Sequence, residues 1–297
     1  MAAAAPAPVR PPEPWRGRGG PRRWPWTRGL FYLGVGFFVL FALFPFYWVF
    51  ATSLETAGAF AQGTTGLWPS HLTLQNYVTV FTADHFLQPL ANSALVATVT
   101  TALTLVLASL AAYALSRLRL RGRGLALGFV LAVAFFPVLA MVGPLFFVFR
   151  DLSLLNTYAA LVLSYLIYTL PLSIWLLTSF FGQIPREVEE QALVDGATRL
   201  QALRKVLLPL AAPGLFTTGI LSFILCWNDF VFALSFLETP GKYTVPLAIV
   251  NLGQSQYQTF YNLIDASVVV VTVPIAVLVL LAQRRIIAGL TAGSLKG

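Results

Sequence analysis

The sequence predicts an all-α, polytopic membrane protein with six transmembrane helices. Three observations carry that expectation. Of the 297 residues, 58% are hydrophobic and only 10% charged, against about 25% charged in an ordinary soluble domain. The mean hydropathy of +0.77 describes more apolar surface than a folded core of this size absorbs, so the surplus calls for lipid. The basic residues are also sorted: seventeen of the nineteen Lys and Arg fall in segments that six helices would place on one side of a bilayer.

Taken in order, residues 1–28 hold seven prolines and six arginines with little aliphatic bulk beyond alanine. Such a segment cannot bury enough surface to offset its ordering entropy, and it is expected to be a disordered cytoplasmic tail. Residues 29–53 form the first span. A basic run before an apolar one also opens a secretory signal, but about 25 residues exceeds the ~7–15 of a signal core. About 20 apolar residues in helix cross the hydrocarbon. Segments 92–116, 124–149, 158–181, 214–237 and 263–282 meet that requirement too. Residues 54–91 form an extracytoplasmic segment, and 92–282 a five-helix core that includes a polar loop at 184–213 and an outer loop at 238–262. Pro45, Pro137, Pro144 and Pro171 fall inside spans. They are expected to kink helices whose neighbours satisfy the freed carbonyls.

Orientation follows from the basic residues. Arg10, Arg16, Arg18, Arg22, Arg23 and Arg28 lie in the tail, Arg117, Arg119, Arg121 and Arg123 in the second connection, Arg186, Arg199, Arg204 and Lys205 in 184–213, and Arg284, Arg285 and Lys296 at the end. Only Arg150 and Lys242 fall on the other side. The positive-inside rule therefore puts both termini and the 184–213 loop in the cytoplasm. The outer segment 54–91 lacks Lys and Arg but carries Trp68, His71, Asn76 and Tyr77, which suit interfacial packing or ligand contact. The outer loop 238–262 exceeds the ~12–15 residues beyond which a structureless loop is usually functional or disordered. Its tip, Gln254, Ser255, Gln256 and Tyr257, suits hydrogen bonding to a polar partner and equally a plain solvated loop.

Several chemistries are excluded. Cys226 is the only cysteine, which rules out a disulfide within the chain and a Cys-based metal site. The two histidines, His71 and His85, pair with no helical Glu, so no metal site is expected. No GxxxxGK[ST] loop occurs, so any nucleotide chemistry belongs to a partner. The basic residues sit at span ends, which argues against nucleic acid. The acids within spans, Asp229 and Asp265, form no obvious pair, so no catalytic residue is assigned. A charge within a span costs about 2.5–3.5 kcal/mol and marks a functional candidate. Asp229, with Trp227 and Asn228, is read as a candidate for the translocation path, or else as a buried structural hydrogen bond. Asp265 is expected at the membrane interface, and Cys226 in packing or against lipid.

The 184–213 segment carries eight charged residues between two apolar runs and reads as two short helices. Pro185 suits a first helical position, and Glu187, Glu189 and Glu190 favour the positive end of the helix dipole. Val188 and Ala192 make a narrow apolar stripe. Gly196 accepts a left-handed turn; Thr198 caps the next helix, whose Leu200, Leu203 and Leu207 share a face. Pro209 and Pro213 mark the entry to the fifth span. Lying flat on the membrane is the plain alternative, but an anionic leaflet repels the acid cluster. Docking on another protein is expected instead.

At these residues the sequence resembles a family. Glu190-Gln191-Ala192, Asp195-Gly196-Ala197 and Leu207-Leu208-Pro209 resemble the EAA loop of ABC importer permeases. Gln191 stands where alanine is usual and Leu203 where phenylalanine is frequent, departures that should alter partner affinity more than the fold. From about Thr73 onward, Leu74-Gln75-Asn76-Tyr77, Asn92-Ser93, the 111–117 run Ala-Ala-Tyr-Ala-Leu-Ser-Arg, Trp227-Asn228-Asp229 and Gln283-Arg284-Arg285 are similar to the carbohydrate-uptake, MalG-type branch. So is the tail from Gly289 to Gly297, the most discriminating of these.

The resemblance implies a type I ABC importer permease fold. Its partners would be a second, MalF-type permease, two ABC ATPase subunits that bind the ATP and Mg, and an extracytoplasmic sugar-binding protein. No cofactor would be held by this chain. Glu190, Gln191, Ala192, Asp195, Gly196, Ala197, Leu203 and Pro209 would couple to the ATPase. Gly289, Leu290, Thr291, Gly293, Lys296 and Gly297, in the cytoplasmic tail 283–297, would reach between the ATPase subunits, and the outer-loop tip would meet the binding protein. The implied function is ATP-driven import, across a prokaryotic cytoplasmic membrane, of an α-linked disaccharide or oligosaccharide such as maltose or trehalose. An ABC importer for a non-sugar solute is the near alternative. An ion-coupled secondary transporter, which would show an inverted repeat with broken helices, is the distant one.

Overall fold

The computed structural model describes residues 25–61, 66–69, 71–82, 86–252 and 260–292, and among them regular structure is entirely helical. The chain divides into two units, Met1–Trp48 and Val49–Gly297. The described part of the first belongs to helix α1 (Pro25–Ser53). This helix begins at Pro25 rather than at residue 29, because the fixed φ of proline suits a first turn. Leu33, Phe38, Leu40 and Phe41 stand exposed along it, as befits a helix whose solvent is lipid.

The second unit continues through α2 (Ala57–Ala61), α3 (Gln75–Thr82), α4 (Leu87–Arg117), α5 (Arg123–Ala134), α6 (Val138–Asp151), α7 (Tyr158–Gln183), α8 (Arg186–Val194) and α9 (Arg199–Ala202). A π turn at Leu203–Leu207 leads into α10 (Leu208–Leu210), followed by α11 (Ala212–Trp227), α12 (Val231–Phe236), α13 (Val245–Leu252) and α14 (Tyr261–Ala292). Among the described residues, four helices are long and apolar enough to cross a bilayer, or up to six if each of two bent pairs is one span.

Three expectations need correction. The 124–149 segment is not a single gently kinked helix: α5 and α6 meet at 90°, a broken span or a re-entrant pair. Pro137 lacks an N–H and pushes the residue before it out of helical geometry, and the chain turns at Phe135–Pro137 instead of running through. Pro144 lies within α6 without ending it. The 214–237 segment is likewise divided: α11 stops at Trp227 and α12 starts at Val231, with α11 itself bent 81° from the Arg199–Leu210 stretch before it. The 238–262 loop is not structureless, since it carries a 3₁₀ turn at Pro240–Lys242 and the apolar helix α13. In addition, α14 runs unbroken to Ala292 and takes in residues read as a separate tail.

The core is a three-helix seam of α4, α7 and α11, with α14 against α11. Thr100, Thr104, Ala108 and Ala112 recur every fourth residue along α4 and are fully buried. That spacing keeps one face, and small side chains let membrane helices approach closely. Thr104 and Thr169 bond hydroxyl to hydroxyl at 2.8 Å, and Ser173 and Ser222 at 3.1 Å. A Cβ on Gly214 would lie 2.4 Å from Cγ of Phe180, so α11 passes α7 where only glycine fits without displacing that ring. Cys226 packs inside the Val96–Leu161–Phe232 cluster.

At the N-terminal end of α4, side-chain amides replace regular structure. Asn92 Nδ2 donates to the carbonyls of Gly241 (3.0 Å) and Tyr243 (2.9 Å), and the Val245 N–H donates to Ser93 Oγ. Asn76 donates to the carbonyls of Ser53 and Glu55 and accepts from Asn262, while Tyr77 bonds Ser53. Asn76 and Tyr77 therefore hold the fold at this end, in line with the packing alternative. Asn156 adopts φ +58, a left-handed conformation asparagine tolerates. Its Oδ1 accepts from the N–H groups of Glu238 and Thr239, its Nδ2 donates to Thr239 Oγ1 (2.7 Å), and its carbonyl accepts from Lys242 Nζ.

Candidate functional site

The 184–213 loop folds as its sequence dictates. Pro185 is the residue before α8, not its first, and Glu187 and Glu189 occupy the first turn, where the dipole favours anions. Gly196 has φ +90. Its N–H bonds the Leu193 carbonyl and that of Ala197 the Ala192 carbonyl, at 3.1 and 3.0 Å. This is a Schellman closure, which satisfies the last carbonyls of a helix at the cost of one left-handed residue. Thr198 and Gln201 form a reciprocal capping box, which stabilises a one-turn helix by satisfying two otherwise orphaned N–H groups. Leu203 and Leu207 then pack with Ala108, Tyr113, Leu177 and Phe181. Leu200 does not share their face and is 64% exposed. A π turn covers Leu203–Leu207 itself, and in it each residue advances by less than an α-helical step, which brings Leu203 and Leu207 into line.

The two faces of α8 differ. Inward lie half-buried Val188 and Ala192 with Glu189, which is 7% exposed. The Tyr113 hydroxyl donates to Glu189 Oε1 at 2.7 Å, and Arg117 Nε lies 3.6 Å from Glu189 Oε2. Arg117 Nη2 also donates to the carbonyls of Phe181 and Ile184. The end of α4, the end of α7 and the start of α8 thus meet on one guanidinium. Outward, Glu187, Glu190, Gln191, Val194 and Asp195 line a shallow groove of about 430 Å³, with Val194 86% exposed. Of the residues assigned to coupling, Glu190, Gln191, Asp195, Gly196 and Pro209 are exposed, Ala192 and Ala197 half-buried, and Leu203 buried. The sequence pointed to Arg117 through its charge and its place in the 111–117 run, and to Glu189 through the helix dipole, without pairing the two. The four-residue spacing of Tyr113 and Arg117 on α4, and the position of Glu189 in the Val188–Ala192 stripe, were the available signals.

A second candidate lies at the α11–α12 break. Asp229 Oδ2 accepts from the Tyr165 hydroxyl (2.9 Å) and from the Ala233 N–H (3.2 Å), so the carboxylate ties α7 to the first turn of α12. Asp229 also lines a cavity of about 670 Å³ with Tyr168, Trp175, Leu131, Phe135 and Val138, where the α5–α6 bend opens. Trp227 and Asn228 are not on that wall. Trp227 is buried and stacks on Phe223 at 5.6 Å, and Asn228 bonds back to the Ile224 carbonyl. Asp265 accepts from Thr52 Oγ1 at 2.5 Å. Gly289, Leu290 and Thr291 continue α14, whereas Gly293, Lys296 and Gly297, like Gln254, Ser255, Gln256 and Tyr257, lie outside the described residues.

Residues 104–290 match the family described as binding-protein-dependent transport system inner membrane component. The trehalose transport system permease protein SugB of Mycobacterium tuberculosis is 44% identical over 86% of this chain and 93% of its own. The sulfoquinovosyl glycerol transport system permease protein SmoH of Agrobacterium fabrum is 42% identical over 90% of this chain and 93% of its own. The trehalose/maltose transport system permease protein MalG of Thermococcus litoralis is 39% identical over 91% and 97%. Among solved structures, a chain of a bacterial ABC transporter that imports the acidic polysaccharide alginate superposes with a TM-score of 0.75 at 27% identity. The match covers 87% of this chain and 96% of that one.

Proposed function

The chain belongs to the inner membrane components of binding-protein-dependent transport systems, and on that premise we propose that it carries an α-linked disaccharide or short oligosaccharide, of the trehalose or maltose kind, across the cytoplasmic membrane. It is a permease subunit of an ABC sugar importer, a membrane component and not an enzyme. ATP and Mg bind to two partner ATPase subunits, since this chain has no phosphate loop. A second, MalF-type permease completes the pathway, and an external sugar-binding protein delivers the solute. Both termini and the 184–213 loop face the cytoplasm.

The observation that carries this reading is the asymmetry of α8. Its inner face is bonded into the bundle through Glu189, while Glu190, Gln191, Val194 and Asp195 are turned outward. The outward acids, with the 86% exposed Val194 among them, suit a protein cleft better than an anionic leaflet. Glu190, Gln191, Ala192, Asp195, Gly196, Ala197, Leu203 and Pro209 form or support that docking element, and the end of α14 from Gly289 onward reaches the same partner. ATP-driven closure of the motor moves α8, and the bundle rocks between two openings. A ligand or motor shifts such an equilibrium only by its differential affinity for the two states. Asp229 is assigned to the wall of the path, with Trp227 and Asn228 shaping the break beside it, and Gln254, Ser255, Gln256 and Tyr257 meet the binding protein.

The test is uptake into vesicles containing the whole complex. Labelled trehalose, maltose and, in view of the SmoH relative, an anionic glycoside are supplied with binding protein, with and without internal ATP. ATP-dependent accumulation of a disaccharide is expected. Transport by the purified chain alone, or by the complex without ATP, overturns the assignment.

A further inference from the structure

We propose that Tyr113, Arg117 and Glu189 form a positioning joint that transmits movement of α8 to α4 and α7. The inference rests on the importer assignment above and adds to it a route from the docking helix into the bundle. Three observations converge. Glu189 is the acid of α8 that turns inward, 7% exposed between two acids of the outer groove, Glu187 and Glu190. Its partners come from the last turns of α4, and the same guanidinium grips the Phe181 and Ile184 carbonyls at the end of α7. Both side chains of the ion pair are nearly enclosed, 3% and 10% exposed, where removing one partner strands a charge.

The joint is also incompletely closed. Arg117 Nε is buried and finds no hydrogen-bond acceptor among the described residues. The nearest carboxylate oxygen is at ion-pair rather than hydrogen-bond distance. A buried donor without an acceptor is costly. A small shift of α8 toward α4 would satisfy it, so this contact has room to tighten when α8 is moved. Apolar packing of Leu203 and Leu207 holds the loop in place but offers no such directional grip.

The test compares Glu189→Gln and Tyr113→Phe in the assembled complex. The readout is sugar accumulated per ATP hydrolysed, normalised to copurified ATPase. A merely structural loss lowers the number of competent complexes, so uptake and stimulated hydrolysis fall in proportion and the ratio stays. The joint requires the ratio to fall about fivefold or more in Glu189→Gln, the low end of allosteric couplings, and by less in Tyr113→Phe, which keeps the ion pair. An unchanged ratio in both overturns the proposal; if Glu189→Gln fails to assemble, Tyr113→Phe decides. A parent complex without ATP-driven uptake would instead sink the importer assignment. The joint is then read in the purified chain: amide exchange in α8 should rise in Glu189→Gln and not in Glu190→Gln, and equal exchange in the two refutes it.

Discussion

Gly196→Val separates backbone strain from packing at the docking loop. A Cβ at residue 196 would meet nothing within 4 Å, so the added Cβ itself creates no clash, and the cost considered is conformational. At φ +90 an L-residue loses about 1–2 kcal/mol in left-handed geometry, and a β-branched one lies at or above the top of that range. That energy bears on the two bonds closing α8, from Gly196 to Leu193 and from Ala197 to Ala192. If α8 frays in the free chain and must re-form on docking, the loss appears as weaker coupling. One or two kcal/mol corresponds to about a 5–30-fold change in an equilibrium, which bounds the fall in sugar-stimulated ATPase. Asparagine tolerates the left-handed region, so the series Gly, Asn, Ala, Val should decline in that order. The assay is stimulated ATPase and uptake in vesicles, with protease sensitivity of the loop followed in parallel. The thermal transition of the bundle should not move, because Gly196 is exposed. Parental activity in Gly196→Val at equal expression, or an Asn variant worse than Val, refutes the reasoning.

Three further outcomes follow from the geometry. Gly214→Ala places a methyl against the Phe180 ring and should destabilise the detergent-solubilised chain by about 1–3 kcal/mol. Adding Phe180→Ala should recover part of that loss in the thermal transition. Asn156→Ala removes the side chain that accepts from Glu238 and Thr239 and donates to Thr239. Glu238 and Thr239 are exposed, so water replaces the lost bonds and about 0.5–1.5 kcal/mol is expected, seen as faster amide exchange at residues 236–242. Asp229→Asn keeps an acceptor for Tyr165 and Ala233, so it should stay folded while losing uptake, whereas Asp229→Ala should also lower the melting temperature. Unchanged uptake in Asp229→Asn removes Asp229 from the path.

Where the structure agrees with the sequence, the determinant is local. Gly196, Thr198 and the apolar runs act within one or two turns, and a glycine after an acid-rich helix or a threonine before the next states its own geometry. Where it disagrees, the determinant is distant or a matter of degree. Pro137 signals an interruption, but whether a proline bends a span slightly or by 90° is set by what packs around it. The apolar run of α13 lay inside a loop judged by its length alone, and its helix is completed by Val245 and Ala248 packing on Phe86 and Ala266. Leu200 was grouped with Leu203 and Leu207 on spacing alone, but the bundle against which those two pack does not cover it. Glu189 resembles its neighbours in composition, and only its contacts with residues more than seventy positions earlier in the chain set it apart.

Helix α4 has a consequence beyond packing. Its 31 residues make a rod of roughly 46 Å at 1.5 Å per residue, and past Pro89 it contains no proline, unlike α1, α7 and α14. One tip is stapled by Asn92 and Ser93 to the 241–245 segment, and the other holds Tyr113 and Arg117. A stiff lever of that length tilted by about 5° sweeps its far tip through about 4 Å. A small change of tilt at the stapled tip is therefore amplified into a displacement of atomic dimensions at the tip that holds Tyr113 and Arg117.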